Sequence, residues 1–425
     1  MWARLVEHLV SHRSAEPFEL VPIEEREVDL DPGWRQKLEA LGIDPHRANR
    51  WIETGLLCDR KARLWFPISH GLPVLLPYRT AAHDAMLRDH RGVIRRLGDD
   101  FRAAADDPAP GEQFVLESFS TEWRDYDDSE VLWTWSIEER RAYFLEEIGA
   151  AELTGAERTF VEIGCGLGLV TSIAATELSL DAIGVDLSAA AMRATQRYRT
   201  NPLTHFIQAS LWALPFRRSS FDVVYSHGVL HHAHDPETAF GAVAALAKPG
   251  GRTYVWLYGA GRARGSLLRR VVFPVEQVVR PVLARLPAAL ANMLLYPMAL
   301  GYWALNWWHR ARGGPRQRYD LERALHAARD RFTPAFAHIH ETDEVRRWFE
   351  SAGFERIHAL APEEVDPASR ESVALNVAVR GIRSMAGAPI TRTRPDLRSS
   401  APLTDEREHS RGDGVQYPDL VAHVG

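Results

Sequence analysis

Cysteine is nearly absent from this chain. Only Cys58 and Cys165 occur among 425 residues, far apart in sequence. A disulfide-stapled secreted fold is therefore not expected, and a four-cysteine zinc site is impossible. Excess charge is also small: the formal net charge is −6 and the pI about 6.3, so the chain as a whole does not read as a nucleic-acid binder. The opening residues MWARLVEHLVSHRSAEPFEL contain neither a long apolar core nor a small-residue cleavage site. No signal peptide is read there, and a reducing, cytoplasmic setting is expected.

What is present is ordinary folded-protein material. Hydrophobic residues make up 45% and charged residues 25%, which excludes a collagen-like, coiled-coil or wholly disordered chain. The length leaves room for about two or three domains.

Residues 1–80 read as a small N-terminal module, with two short strands and a turn over 64–76 where Pro and Gly punctuate β-prone residues. Residues 81–150 read as helical, broken by DDPAPG at 106–111, and carry Trp123, Tyr126, Trp133 and Trp135. From Thr159 the pattern changes. TFVEIG, AIGVD, HFIQAS, FDVVYSHG and RTYVWLYG read as strands, separated by helical stretches such as VTSIAATEL and PETAFGAVAALA. Strands alternating with helices indicate a parallel sheet covered on both faces. This core, 151–259, is interrupted by an insertion over 260–340 and resumes over 341–383. There DEVRRWFESAG is amphipathic, with Val345, Trp348 and Phe349 on one face, and two last strands follow. Residues 384–425 are rich in Pro, Arg, Ser and Asp and read as a disordered tail. The expected fold is α/β: a doubly wound, mostly parallel, Rossmann-like sheet of seven strands. Its last strand is antiparallel, and it carries a helical insertion and a small N-terminal module.

Glu162-Ile-Gly164-Cys165-Gly166-Leu-Gly168 lies between the first core strand and a helix. Its glycines let the backbone turn sharply and approach a ligand with no Cβ in the way. The following helix adds N–H groups and a positive dipole end. Asp186 ends the next strand, placed to accept from both hydroxyls of a ribose. The order strand, glycine loop, helix, strand, acid describes a nucleoside-cofactor site. A dinucleotide site prefers G-x-G-x-x-G for a pyrophosphate. Here the spacing is G-x-G-x-G with Glu162 at its mouth, which suits a cation. S-adenosylmethionine, with its sulfonium and ammonium, is favoured over a nicotinamide dinucleotide.

With these residues in place, the sequence resembles the class I S-adenosylmethionine-dependent methyltransferases of the bacterial small-molecule type. The likeness covers about 114–259 and 340–381, through VEIGCGLG, the acid of GVD, LPF with FDVVYSHGVLHH, and LAKPGG. It implies that Glu162, Gly164, Gly166 and Gly168 line the methionine part, that Asp186 holds the ribose and that Leu187 packs on the adenine. Cys165 and His227 are counted with them. The family often has an acid four places before the LPF leucine. Here Ser210 stands there; its hydroxyl can accept the adenine amino bond, and the Leu211 N–H can serve N1.

His227, His231, His232 and His234 follow the fourth core strand. His231 or His232 is a candidate general base, since histidine titrates near neutrality. A metal site and a purely structural role stay open; no metal is assigned. Tyr126, Trp133 or Trp135 either touches a sulfonium by cation–π attraction or packs the core.

Residues 286–308 contain no charged side chain, while Arg264, Arg269, Arg270, Arg280 and Arg285 precede them and Arg310, Arg312, Arg316 and Arg318 follow. A single membrane crossing is excluded, because the last strands return to the same sheet. Three readings stand: an apolar lid on the substrate pocket, a membrane-surface hairpin through 265–318, or a dimer interface. The first two imply a hydrophobic or lipid-like acceptor. Residues 51–77 resemble the ribbon half of a zinc-ribbon module, but with only Cys58 remaining no zinc is expected. The chain thus reads as a methyltransferase acting on a small-molecule or lipid-like acceptor, peripheral to the membrane if the hairpin reading holds. The competing reading is a non-catalytic scaffold of the same fold.

Overall fold

The structure is a computed structural model that describes residues 1–124, 131–132, 135–261, 279, 283, 286, 288–311, 321–332 and 334–385. Tyr126 and Trp133 lie outside the described residues. So do residues 386–425 of the expected tail and Arg264, Arg269, Arg270, Arg280, Arg285, Arg312, Arg316 and Arg318.

The N-terminal sheet joins β1 (Glu19–Glu27), β2 (Arg50–Asp59), β3 (Leu64–Ser69) and β4 (Leu72–Pro73) in that order, and β5 (Arg102–Ala103) pairs with β3. The expected strand–turn–strand is β3 and β4, joined through His70 and Gly71, both at positive φ. A Cβ on Gly71 would lie 2.4 Å from the Trp51 ring, so the turn needs glycine. The helices Ala81–Asp89 and Arg91–Leu97 pack Met86 and Ile94 with Leu56, Cys58 and Trp65 of the same sheet. The module therefore runs past residue 80. Cys58 is fully buried there, and burial raises its thiol to about 12; it behaves as a small apolar core residue.

A short ribbon of β6 (Val131–Leu132) and β7 (Trp135–Ser136) precedes the helix Ile137–Glu147, which Ser136 and Glu139 cap reciprocally. The central sheet then contains β8 (Thr159–Ile163), β9 (Asp181–Asp186), β10 (Thr204–Gln208), β11 (Phe221–His227), β12 (Ala247–Tyr258), β13 (Phe354–Ala359) and β14 (Asn376–Arg383). Their order is β10-β9-β8-β11-β12-β14-β13. The first five pair in parallel, and β14 runs antiparallel between β12 and β13. The inner strands are largely apolar because both faces are covered, as Phe160, Val161 and Ile163 show on either side of buried Glu162 in β8. Strand order reverses between β8 and β11, and ligands bind at the carboxyl ends of strands at such a reversal.

The N-terminal module shares this core. Leu9, Ile52, Phe66 and Leu75 belong to one buried cluster with Val161, Ile183 and Ile207. The Leu75 N–H donates to the Gln208 carbonyl across 2.7 Å. Buried Arg4 pairs with Asp181 at the start of β9. On the other edge, Val345, Trp348 and Phe349 of the helix Thr342–Ser351 are buried, as their spacing predicts.

Candidate active site

The glycine loop turns tightly at the end of β8. Gly164, Gly166 and Gly168 have φ of 79°, 51° and 80°, in the left-handed region. Two of them are also held to zero side chain by contact. A Cβ at Gly164 would lie 2.0 Å from Val229 Cγ2, and one at Gly168 would lie 2.5 Å from the Phe206 ring. The loop opens onto a cavity of about 380 Å³, lined by Glu162, Gly164, Cys165, Gly166, Asp186, Leu187, Leu211 and His227 among others. Gly168 sits behind it, at the start of the helix Leu169–Glu177. The Cys165 thiol is pushed well up by burial and is not a nucleophile.

Two carboxyls meet at the loop. Glu162 is buried and accepts from Thr171 Oγ1 at 2.5 Å; burial raises it to about 8, so at neutral pH it holds its proton. Asp186 accepts from the Gly166 N–H at 2.7 Å and from the Ser188 N–H and hydroxyl at 2.8 and 2.6 Å. Burial still pushes it above the usual aspartate range. Asp186 thus shapes the loop as well as facing the cavity, a double duty that its sequence position did not disclose.

Beneath the loop lies a charge network that the sequence reading missed. Glu147, fully buried, accepts from Arg140 Nη1 at 2.9 Å, Tyr225 Oη at 2.5 Å and Tyr254 Oη at 2.7 Å. His227 Nδ1 lies 2.7 Å from its other side. Burial alone would raise Glu147, but Arg140 and His227 beside it hold it at about 2. Burial lowers the pKa of His227, which stacks on Trp256 at 4.5 Å. His227 is therefore neutral and donates from Nδ1 to Glu147. Arg140 lines the cavity above this network.

The adjacent histidines have their rings 4.2 Å apart but only one of them reaches the cavity. His231 is fully buried, stacks on Tyr258 at 3.7 Å and does not line the cavity. His231 thus sits one layer behind His232, outside the cavity lining. His232 does line the cavity. Its Nδ1 donates to the Phe336 carbonyl at 2.7 Å, which fixes the orientation of the ring. Among the described residues, no group of three or more His, Cys, Asp or Glu could hold a metal ion.

Ser210 is also repositioned. It is fully buried outside the cavity lining, where Oγ accepts from the Trp212 N–H at 3.1 Å and caps the turn Leu211–Ala213. The acid at this end is Glu112, which lines the cavity, accepts from the Ala109 N–H at 2.8 Å and is raised by burial. Glu112 opens the helix Glu112–Arg124, whose Val115, Phe119 and Trp123 recur on one face and cover the cavity. Ser120 Oγ, accepting from the Ala189 N–H at 3.1 Å, ties this cover to the chain after Asp186. Trp135, Trp256 and Tyr258 complete the aromatic wall. The expected lid, the 260–340 insertion, contributes no described residue to the lining. Its helix Leu321–Phe332 instead packs on the helix Glu112–Arg124.

A switch-point glycine loop with an acidic mouth, an acid after the second strand and an aromatic wall agree with the resemblance to class I S-adenosylmethionine-dependent methyltransferases that the motifs carry. Residues 161–255 match the family described as "Methyltransferase domain". An uncharacterised protein of Synechococcus is 26% identical over 243 residues, covering 52% of each chain. A ubiquinone biosynthesis O-methyltransferase of Methylococcus capsulatus is 32% identical over 154 residues, 36% of this chain and 62% of that protein. The chain thus spans just over half the length of these two relatives. Among solved structures, the magnesium protoporphyrin IX methyltransferase of Synechocystis with bound S-adenosylhomocysteine is similar over 64% of this chain and 100% of that one, at a TM-score of 0.39 and 14% identity.

Proposed function

We propose that this protein transfers the methyl group of S-adenosylmethionine to a small hydrophobic or lipid-like acceptor. The observation that carries the reading is Glu162, a carboxyl lining the cavity at the mouth of a glycine loop, which burial raises to about 8 against the Thr171 hydroxyl and the Arg140 charge. Buried carboxyls are held in such a state where a positive ligand will pair with them. Bound S-adenosylmethionine supplies an electrophilic methyl group on a sulfonium.

The chain's own residues do the rest. Glu162 pairs with the ligand's ammonium and Arg140 with its carboxylate, each already fixed by buried partners. Gly164 and Gly166 let the backbone approach, with Cys165 between them, while Gly168 starts the helix behind. Asp186 accepts from the ribose, Leu187 and Leu211 pack on the base, and Glu112 takes the acidic place that Ser210 leaves open. His227 and Trp256 stack as one wall, and Trp123, Trp135 and Tyr258 offer ring faces to a positive centre. Phe119, Val115 and Val229 make the remaining wall apolar, which suits a hydrophobic acceptor and excludes water. In-line methyl transfer rests mainly on proximity and orientation. Where the acceptor must lose a proton, His232 takes it, its ring fixed by the Phe336 carbonyl.

Calorimetric titration with S-adenosylmethionine and S-adenosylhomocysteine tests this. Saturable binding of both is expected, weakened about tenfold or more in Asp186→Ala, which loses charge-assisted hydrogen bonds. Absence of binding by the folded protein overturns the reading and leaves a scaffold of methyltransferase fold.

A further inference from the structure

The helix Ala288–Ala311 is apolar on its inner and outer sides alike. Inside, Leu295 and Ala299 are fully buried, with Leu295 packed on Ala328 and Phe332 of the helix Leu321–Phe332. Outside, Leu290, Met293, Leu294, Leu300, Trp303 and Trp307 are 42–64% exposed. Spacings of three, four and seven, as in Leu290/Leu294, Met293/Leu300, Leu300/Trp303 and Trp303/Trp307, place them on one broad side of the helix. An exposed apolar stripe of this length marks an interaction surface.

The charge that flanks the stripe in sequence identifies the partner. Residues 262–318 hold ten arginines and one acid, Glu276, in a chain whose net charge is −6. A second copy of the chain would bring two such basic segments together, at a repulsive cost. An anionic phospholipid surface meets both features at once: headgroups for the arginines and acyl chains for the stripe. Trp303, Trp307 and Trp308 cluster at one end, where indole rings favour the boundary between water and lipid. No described helix is long and apolar enough to cross a membrane, which leaves the helix lying along the surface.

We propose that the outer face of Ala288–Ala311 docks this protein on an anionic phospholipid bilayer, beside the source of its acceptor. Docking stands on the stripe and the charge; the supply of acceptor rests on the methyl-transfer reading above. The insertion is also joined to the cavity's cover, though none of its described residues lines the cavity. Its helix Leu321–Phe332 packs on the cavity cover, and the chain leaving it places the Phe336 carbonyl on His232 and the His338 N–H on the His231 carbonyl, at 2.7 and 2.9 Å.

Flotation of the full chain with vesicles tests the docking. Vesicles of phosphatidylcholine alone are compared with vesicles containing phosphatidylglycerol, for the wild type and a Leu294→Ser/Trp307→Ser variant. Both positions are exposed, so the fold survives, and circular dichroism checks this. The expected result is co-flotation with phosphatidylglycerol vesicles, weakened by added salt and about tenfold weaker in the variant. Three results overturn docking: no flotation of the folded wild type, equal flotation of the variant, or a dimer in sedimentation equilibrium that the variant dissolves. S-adenosylmethionine titration of the same samples separates the two ideas. Retained cofactor binding without flotation overturns docking alone; flotation without cofactor binding overturns methyl transfer alone.

Discussion

Gly164 faces Val229 so closely that a single methyl group would collide with it, at 2.0 Å from Cγ2. The two residues lie at the ends of adjacent strands β8 and β11, where the sheet reverses its order. Gly164→Ala therefore meets two obstacles, the clash and a φ of 79°. Its expected cost is about 2–4 kcal/mol, the sum of a left-handed L-residue and an overpacked contact. Val229→Ala in the same chain relieves the clash but not the backbone, so it restores only part of the loss. Chemical denaturation measures the cost, and S-adenosylmethionine titration follows the loop; full recovery in the double variant would show that φ costs nothing.

Glu162 makes cofactor binding pH-dependent in a defined direction. The carboxyl holds its proton up to about pH 8, and a cationic ligand prefers it ionised. Affinity should rise as pH increases through that value, and binding at neutral pH should release a proton. Calorimetry in buffers of different ionisation enthalpy reads the proton directly. Glu162→Gln should remove the dependence as well as weaken binding. The stability sign is opposite: the folded state binds the extra proton between pH 4.5 and about 8, so stability due to this group falls as pH rises across that window.

The sheet and the glycine loop were legible because their signals are local: apolar strands alternate with helices, and Gly164, Gly166 and Asp186 stand at fixed separations. The rest of the site is assembled from afar. Glu112 supplies the acid near Ser210 across about a hundred residues, and no spacing rule links them. Arg140 and Glu147 are seven apart on one helix and carry no sequence signal of pairing, yet both are buried against Tyr225 of β11, with Glu147 also bonded to Tyr254 of β12. His231 and His232 look equivalent in sequence, and only the packing of their touching rings decides that His232 lines the cavity while His231 does not. The charge-free run 286–308 was visible, but which of its residues face outward depends on the packing of Leu295 and Ala299.

Glu147 should be the most costly charge to remove. It is the counter-charge of buried Arg140 and the shared acceptor of Tyr225, Tyr254 and His227. Glu147→Gln keeps the shape but leaves a buried guanidinium uncompensated, at an expected cost of about 3–5 kcal/mol. Its carboxylate is held at about 2, below the ordinary 4.5, so its stabilisation is present above pH 4.5 and lost as pH falls toward 2. Urea unfolding of wild type and variant at several pH values tests both statements; curves that stay parallel down to low pH would contradict the second.

The two neighbouring histidines should differ in kinetics. His232 lines the cavity with its ring fixed by Phe336, whereas His231 stacks on Tyr258 outside the lining. For an acceptor that must lose a proton, His232→Ala should lower kcat by about 10²-fold, with cofactor affinity nearly unchanged. His231→Phe preserves an aromatic ring against Tyr258 and should leave kcat within about twofold. The assay is single-turnover methyl transfer across a pH series, because loss of a base removes a pH dependence that mere loosening of the wall would retain. An unchanged rate in His232→Ala would place the whole acceleration in proximity and orientation, with Asp186, Arg140 and the aromatic wall as its source.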